Sequence, residues 1–331
     1  MVRWTADVSA VVKILNAVVN LVTSDKSAGI GPRKAPFYRD FRLSPATYLF
    51  PFDLLLLPTN IIMSSKLISV SYTLDNALAI VAIHREPVNS MNTALWTDLF
   101  NALEDLEANP QVRGVVFTSA LKRNVFTAGN DLSELYAPNT DLTRYSNFWI
   151  VSNQFLARLY NSPLLTIAAV KGASPAGGCC LAMCCDFRIV TQDASMGLNE
   201  VAIGISVPRY WIKVMTSIIG QGKADKLTQY ARFVGAEEAL KIGFVDGVVP
   251  NAEALEPAAL KIAAEVFKLP DAGRGVTKNL LRGELSRAWG DKINLEQEAH
   301  TAWGFLTKEE TVRTLKAVMA RLSKPKEKAK I

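Results

Sequence analysis

Leu164-Leu165-Thr166-Ile167-Ala168-Ala169-Val170 and, after four intervening residues, Pro175-Ala176-Gly177-Gly178 running into Cys179–Cys185 decide how this chain is read. The first segment is a short, nearly unbroken apolar run, the pattern of a strand buried on both faces. The second is a glycine turn that opens a helix. A like turn, Phe126-Thr127-Ala128-Gly129-Asn130-Asp131-Leu132, follows the buried strand Val112–Thr118. It leads into a short helix that Asp131 and Glu134 are expected to open as a capping pair. Both turns leave backbone N–H groups near a helix N-terminus, where the macrodipole favours negative charge. Two such donors converging on one point make an oxyanion hole. By spacing alone, two ordinary strand-to-helix turns using glycine for positive φ remain the alternative.

Working outward, Leu67–Tyr72 and Ala77–His84 read as a β-hairpin around Asp75–Asn76. Asn92 precedes a helical pattern (Leu95, Trp96, Leu99, Phe100, Leu103, Leu106) as an N-cap would, and Pro110 ends it. Leu142–Leu159 reads as a long helix and Asp186–Val190 as a short strand. Beyond about residue 209 the pattern is helical throughout. The order, strands mixed with helices and then a helical C-terminal third, defines an α/β chain.

The length of 331 residues and 49 % hydrophobic content supply a substantial core and exclude a disordered or fibrous chain. The net charge of +6 suits a polyanionic ligand, but no concentrated basic patch points to nucleic acid. With His84 and His300 the only histidines, a His-rich metal site is excluded. Cys179, Cys180, Cys184 and Cys185 fall in one seven-residue window, where adjacent side chains diverge, so they read as core rather than as metal ligands or a disulfide framework. The expectation is an intracellular globular enzyme. Trp149, Tyr210 and Trp211 read as core or pocket wall.

Residues 1–62 differ from the rest, with seven Lys/Arg against four Asp/Glu. Val11–Val22 fits a basic amphipathic helix of the transit-peptide kind, although Asp7 and Asp25 interrupt that pattern. A segment upstream of Met63 with no folded role fits equally well. Tyr48–Leu57 is apolar but is broken by Pro51 and Asp53 and is too short to span a bilayer, so no membrane span is expected. Arg321–Lys330, with five basic residues and one Glu, reads as a solvated tail. The terminal Ala329-Lys330-Ile331 is a degenerate form of the Ser-Lys-Leu peroxisomal address.

One carboxylate stands apart. Glu200, in Met196-Gly197-Leu198-Asn199-Glu200, is followed by a stretch, Val201–Thr216, with no Asp or Glu. Lys171–Cys185 has none either. Burial there would raise its pKa and suit it to proton transfer near neutral pH, whereas a surface Glu in a first helical turn is the plain alternative.

Taken together, Pro87-Val88-Asn89-Ser90-Met91-Asn92, Val125–Leu132, Pro175–Cys179, Gly197–Glu200 and Gly243-Phe244-Val245-Asp246 resemble, in order, the enoyl-CoA hydratase/isomerase (crotonase) superfamily. The 3,2-trans-enoyl-CoA isomerase branch is the nearest likeness, over about residues 66–321. The resemblance implies a crotonase-like ββα spiral over residues 63–250 and a helical C-terminal trimerisation region over 251–321, ahead of the basic tail, 322–331. It implies an acyl-CoA thioester substrate, no cofactor beyond the coenzyme A of that substrate, and a homotrimer or a dimer of trimers. Glu200 would be the catalytic base, and the backbone N–H groups of Asn130 and Gly177 the oxyanion hole. Val88, Asn89, Ser90, Asn92, Thr127, Ala128, Gly129 and Gly178 would line the substrate groove, with Lys278 a candidate CoA-phosphate contact. Hydratases of the family use a second carboxylate, at the position Cys180 occupies here, and the dienoyl-CoA isomerases use one near Pro208. Lacking both, the chain reads as a 3-enoyl-CoA to trans-2-enoyl-CoA isomerase of fatty-acid β-oxidation. The alternatives are a hydratase, or a non-catalytic fold that binds acyl-CoA or RNA. The resemblance and the N-terminal segment favour a mitochondrial location, and the C-terminal tripeptide a peroxisomal one.

Overall fold

The computed structural model describes residues 65–323. The expected helix over Val11–Val22, the apolar stretch Tyr48–Leu57, the segment upstream of Met63, the basic tail beyond 323 and the terminal tripeptide lie outside those residues.

The hairpin forms as read: β1 (Ile68–Thr73) and β2 (Leu78–Ile83) pair antiparallel, from Ile68 opposite Ile83 to Thr73 opposite Leu78. Its turn places Leu74, Asp75 and Asn76 at positive φ, which Asn and Asp tolerate better than other residues with a Cβ. Helix α1 (Thr93–Ala108) starts where Asn92 accepts a hydrogen bond from Leu95 N–H at 3.0 Å, and it buries Leu95, Trp96, Leu99, Leu103 and Leu106. Strands β3 (Gly114–Ser119), β4 (Leu165–Val170), β6 (Phe187–Thr191) and β9 (Gly247–Val249) then extend β2 in parallel, giving the order β1-β2-β3-β4-β6-β9. Between them, β5 (Ala173–Pro175), β7 (Ser195–Gly197) and β8 (Val234–Gly235) form a second, three-stranded sheet. Each pass of the chain lays one strand in the large sheet and one segment in the small: β3 then Val125, which bridges Ala173, then β4 and β5, then β6 and β7. That repeated pass is the spiral.

Both faces of the large sheet are covered, as its apolar strands demand. Leu165, Ile167 and Val116 pack with Leu255, Ala259 and Ala263 of the helix Leu255–Val266, while Phe117, Ala168 and Val170 face the main core. The short helix α2 (Leu132–Leu135) and the long α3 (Leu142–Tyr160) follow β3. α3 packs on α1 and on two C-terminal helices, Asp271–Gly290 and Lys292–Leu306, and a last helix, Glu309–Ser323, follows these. Among the described residues no helix is long and apolar enough to cross a membrane.

Two expectations change. The C-terminal third is not helical throughout, because β8 and β9 lie within it. Strands of two and three residues carry no readable alternation, and Gly247-Val248-Val249 becomes a strand only by pairing with Ile189-Val190-Thr191. The capping pair is also only half formed. Asp131 accepts from Ser133 N–H at 3.1 Å, but Glu134 turns away to Thr93 N–H and Oγ1, both at 3.1 Å, and to Arg144 Nε at 3.0 Å. A four-residue helix lying against the start of α1 offers Glu134 these donors instead of the N-cap N–H.

Candidate active site

The small sheet brings the site together. Val125, β5 and β7 run parallel, so their C-terminal ends lie side by side. Asn130 follows the first, Gly177 lies two residues beyond the second, and Glu200 three beyond the third. Ala176 N–H donates to Gly197 O at 2.8 Å, and Met91 is tied on both sides of Asn130, through Gly129 O at 2.8 Å and Asp131 N–H at 3.0 Å.

In the first loop the N–H groups of Ala128, Gly129 and Asp131 are all used, by Val88 O, Thr127 Oγ1 and Met91 O. The Asn130 N–H between them has no acceptor among the described residues. In the second loop Ala176, at the unusual φ of 49°, turns the chain into helix α4 (Gly177–Cys184), whose first N–H, that of Gly177, likewise has no acceptor among the described residues. The loops touch closely. Gly129, at φ 80°, faces Pro175 O, where an added Cβ would come within 2.9 Å. A Cβ at Gly177 would stand 2.7 Å from Asn130 Oδ1.

Glu200 opens the 3-10 turn Glu200–Ile203 and is 5 % exposed. Neither carboxyl oxygen has a hydrogen-bond partner among the described residues. Burial lifts its pKa to about 7, its own backbone N–H opposing this to a smaller extent. The four cysteines are buried, and burial also raises the Cys179 and Cys180 thiols, with the Glu200 charge adding to it.

A cavity of about 1930 Å³ joins these groups; Val88, Ser90, Ala128, Asn130, Ala176 and Glu200 line it, with an apolar wall that includes Trp149, Ile203, Trp211, Phe305 and Leu306. A second carboxylate on its wall, Glu298, is paired with Arg209 at 3.1 Å.

The remaining sequence-derived candidates serve the frame around the cavity. Asn89 is fully buried, its side chain accepting from Arg85 N–H at 2.8 Å and donating to Phe126 O at 2.9 Å and Ser119 Oγ at 3.0 Å. Thr127 Oγ1 donates to Asn89 O at 2.7 Å and accepts from Gly129 N–H at 2.9 Å, and its methyl fills the space a Cβ at Gly178 would need. Asn92 caps α1 beside a separate hollow of about 510 Å³. Lys278 lies away from the cavity, 7 % exposed, its ammonium held by Asp186 at 2.6 Å and Leu164 O at 2.7 Å. Sequence reasoning did not single out Ile203, Tyr145, Phe305 or Trp96 as site residues. All are ordinary apolar positions of helices or turns, brought to the site only by packing.

The spiral thus sets two N–H groups without acceptors among the described residues and one buried carboxylate on adjacent strand ends. The sequence profile described as enoyl-CoA hydratase/isomerase matches residues 73–320, and the chain belongs to that family. It is 34 % identical over 254 residues to the mitochondrial enoyl-CoA delta isomerase 1 of Mus musculus, covering 75 % of this chain and 85 % of that one. To the corresponding protein of Rattus norvegicus it is 33 % identical over 268 residues, covering 80 % and 90 %. The crystal structure of human mitochondrial delta3-delta2-enoyl-CoA isomerase superposes with a TM-score of 0.73 at 31 % identity, covering 78 % of this chain and 99 % of that one. An enoyl-CoA hydratase from Bacillus halodurans, at 23 % identity and a TM-score of 0.68, shares the fold.

Proposed function

We propose that the protein moves the double bond of a 3-enoyl-CoA into conjugation, giving trans-2-enoyl-CoA, with Glu200 as the single base. The observation that carries this reading is the buried Glu200 carboxylate, without a partner among the described residues, in one cavity with Asn130 and with Ala176, whose neighbour Gly177 has, like Asn130, a backbone N–H with no acceptor among those residues. Ionised Glu200 takes a proton from C2. The C2–H electron pair moves into a dienolate whose negative charge rests on the thioester oxygen. Donors aimed at that oxygen stabilise the dienolate more than the ground-state carbonyl and lower the barrier. Glu200 then returns the proton to C4, the C3–C4 double bond having shifted to C2–C3, and is ionised again. No atom is gained or lost, so no cofactor is needed beyond the CoA of the substrate.

Hydration would require a second acid to position a water. The position that holds it in family hydratases is here Cys180, fully buried, and the other carboxylate on the cavity wall, Glu298, is paired with Arg209. The names of the rodent relatives support a mitochondrial location. The exposed Val276, Leu280 and Leu281 on the helix Asp271–Gly290 support assembly into trimers or dimers of trimers. Turnover of a 3-enoyl-CoA and a 2-enoyl-CoA by wild type and Glu200→Gln tests the reading. Isomerisation that collapses in the variant while CoA-ester binding survives is expected. Rapid hydration of the 2-enoyl substrate would overturn it in favour of a hydratase, and RNA retention without turnover in favour of a binding protein.

A further inference from the structure

We propose that the side-chain amide of Asn130 is a third hydrogen-bond donor of the site, aimed at the same thioester oxygen as the backbone N–H groups of Asn130 and Gly177. The inference deepens the isomerase reading and rests on it. Trp96 Nε1 lies 3.2 Å from Asn130 Oδ1. An indole nitrogen can only donate, so the amide oxygen must face Trp96 and the amide nitrogen must face away. Trp96 is fully buried in α1, so this contact is held by the core. On another side the same oxygen packs against Gly177, in the space a Cβ there would enter.

With its oxygen bonded to Trp96 and packed against Gly177, the amide nitrogen is the end of the side chain left to face the cavity that the residue lines. Nδ2 has no acceptor among the described residues, yet it is not among the buried, unpartnered atoms. The residue is half-buried and lines the cavity. A donor that is oriented, accessible and unused, carried by a residue whose own backbone N–H is also free, complements an oxygen that gains negative charge. In the proposed reaction only the thioester oxygen does so. Asn130 Nδ2 is therefore a catalytic donor, and Trp96 is a positioning residue that acts through it.

The test reads the ligand rather than turnover alone. The thioester C=O stretch of a bound, carbonyl-labelled saturated acyl-CoA is recorded by infrared difference spectroscopy, beside steady-state kinetics on a 3-enoyl-CoA. Hydrogen bonds to the carbonyl lower the stretch, and Asn130→Ala is expected to give part of that lowering back. The same variant should reduce kcat about tenfold with KM within about twofold, the split expected for a contact that strengthens in the transition state. Trp96→Phe keeps the donor but frees the amide, and should broaden the carbonyl band with a smaller loss of kcat. An unchanged band in Asn130→Ala overturns the proposal. So does a raised KM with unchanged kcat, which would put Nδ2 on another oxygen of the CoA ester. Should Asn130→Ala fail to fold or to bind, an unchanged band in Trp96→Phe overturns it. Absent turnover in wild type would count against the isomerase reading, while the carbonyl band would still report the donor.

Discussion

Two carboxylates of this molecule, the half-buried Asp186 and the buried Glu200, have opposite surroundings. Asp186, at the start of β6, accepts from Thr166 N–H at 3.0 Å, Lys278 Nζ at 2.6 Å and Arg282 Nη1 at 3.0 Å. Glu200, three residues beyond β7, has no hydrogen-bond partner for its carboxylate among the described residues. Asp186 and its two cations tie the helix Asp271–Gly290 to the spiral, and burial lowers the Lys278 pKa even against the pull of Asp186. For Glu200 the desolvation cost outweighs the smaller opposing effect of its own backbone N–H, which leaves its pKa at about 7. A charge that is fully partnered is architecture, and a buried one left without partners is held ready for a reaction.

The largest effect should come from Glu200→Gln. Its loss removes the only base proposed, and kcat should fall at least about 1,000-fold, as a stopped assay on a 3-enoyl-CoA would show. The same change should stabilise the fold. A folded-state pKa raised from 4.5 to about 7 means that the native state holds its proton where the unfolded chain has released it. Stability therefore falls as pH rises from about 4.5 to about 7, by about 3 kcal/mol at about 1.4 kcal/mol per unit. Denaturation at pH values above about 7 should find the Gln variant more stable by up to that amount; equal stability would mean that Glu200 has a partner in solution.

Lys278→Ala probes the other carboxylate. It leaves Asp186 with Arg282 and the Thr166 N–H and should cost about 2 kcal/mol in chemical denaturation, with kcat and KM within about twofold of wild type. A raised KM for the CoA ester with unchanged stability would break the comparison and return Lys278 to the substrate groove. Gly177→Ala drives a Cβ into Asn130 Oδ1 and displaces both loops, so kcat should drop about 100-fold while global stability changes little. The smallest effect is expected from Asn92→Ala, about 1 kcal/mol from the lost cap of α1, with KM unchanged.

Much of this was legible because it is local. The hairpin around Asp75–Asn76, the cap at Asn92 and the buried strands are set by residues within a few positions of each other, and so are the two glycine turns. The isolation of Glu200 from other carboxylates could also be counted along the chain. Its lack of partners could not, since that depends on what β5, α4 and the helix Glu309–Ser323 place around it. Lys278 and Asp186 are 92 positions apart, so the ion pair that occupies Lys278 had no sequence signal. Nor did the Trp96–Asn130 contact, which spans 34 positions and joins a helix face to a loop. Asn89 and Thr127 sit inside motif segments, yet their side chains brace those segments rather than line the cavity, a distinction that only burial and hydrogen bonding reveal.

The central claim, that Glu200 is a bare buried carboxylate acting as the base, is tested most directly by the pH dependence of kcat/KM on a 3-enoyl-CoA between about pH 5 and about pH 9. Because the base must be ionised, the rate is expected to rise with pH, bend at about 7 and then level. A profile already level at the lower end of that range, with its bend near the ordinary glutamate value, would contradict it.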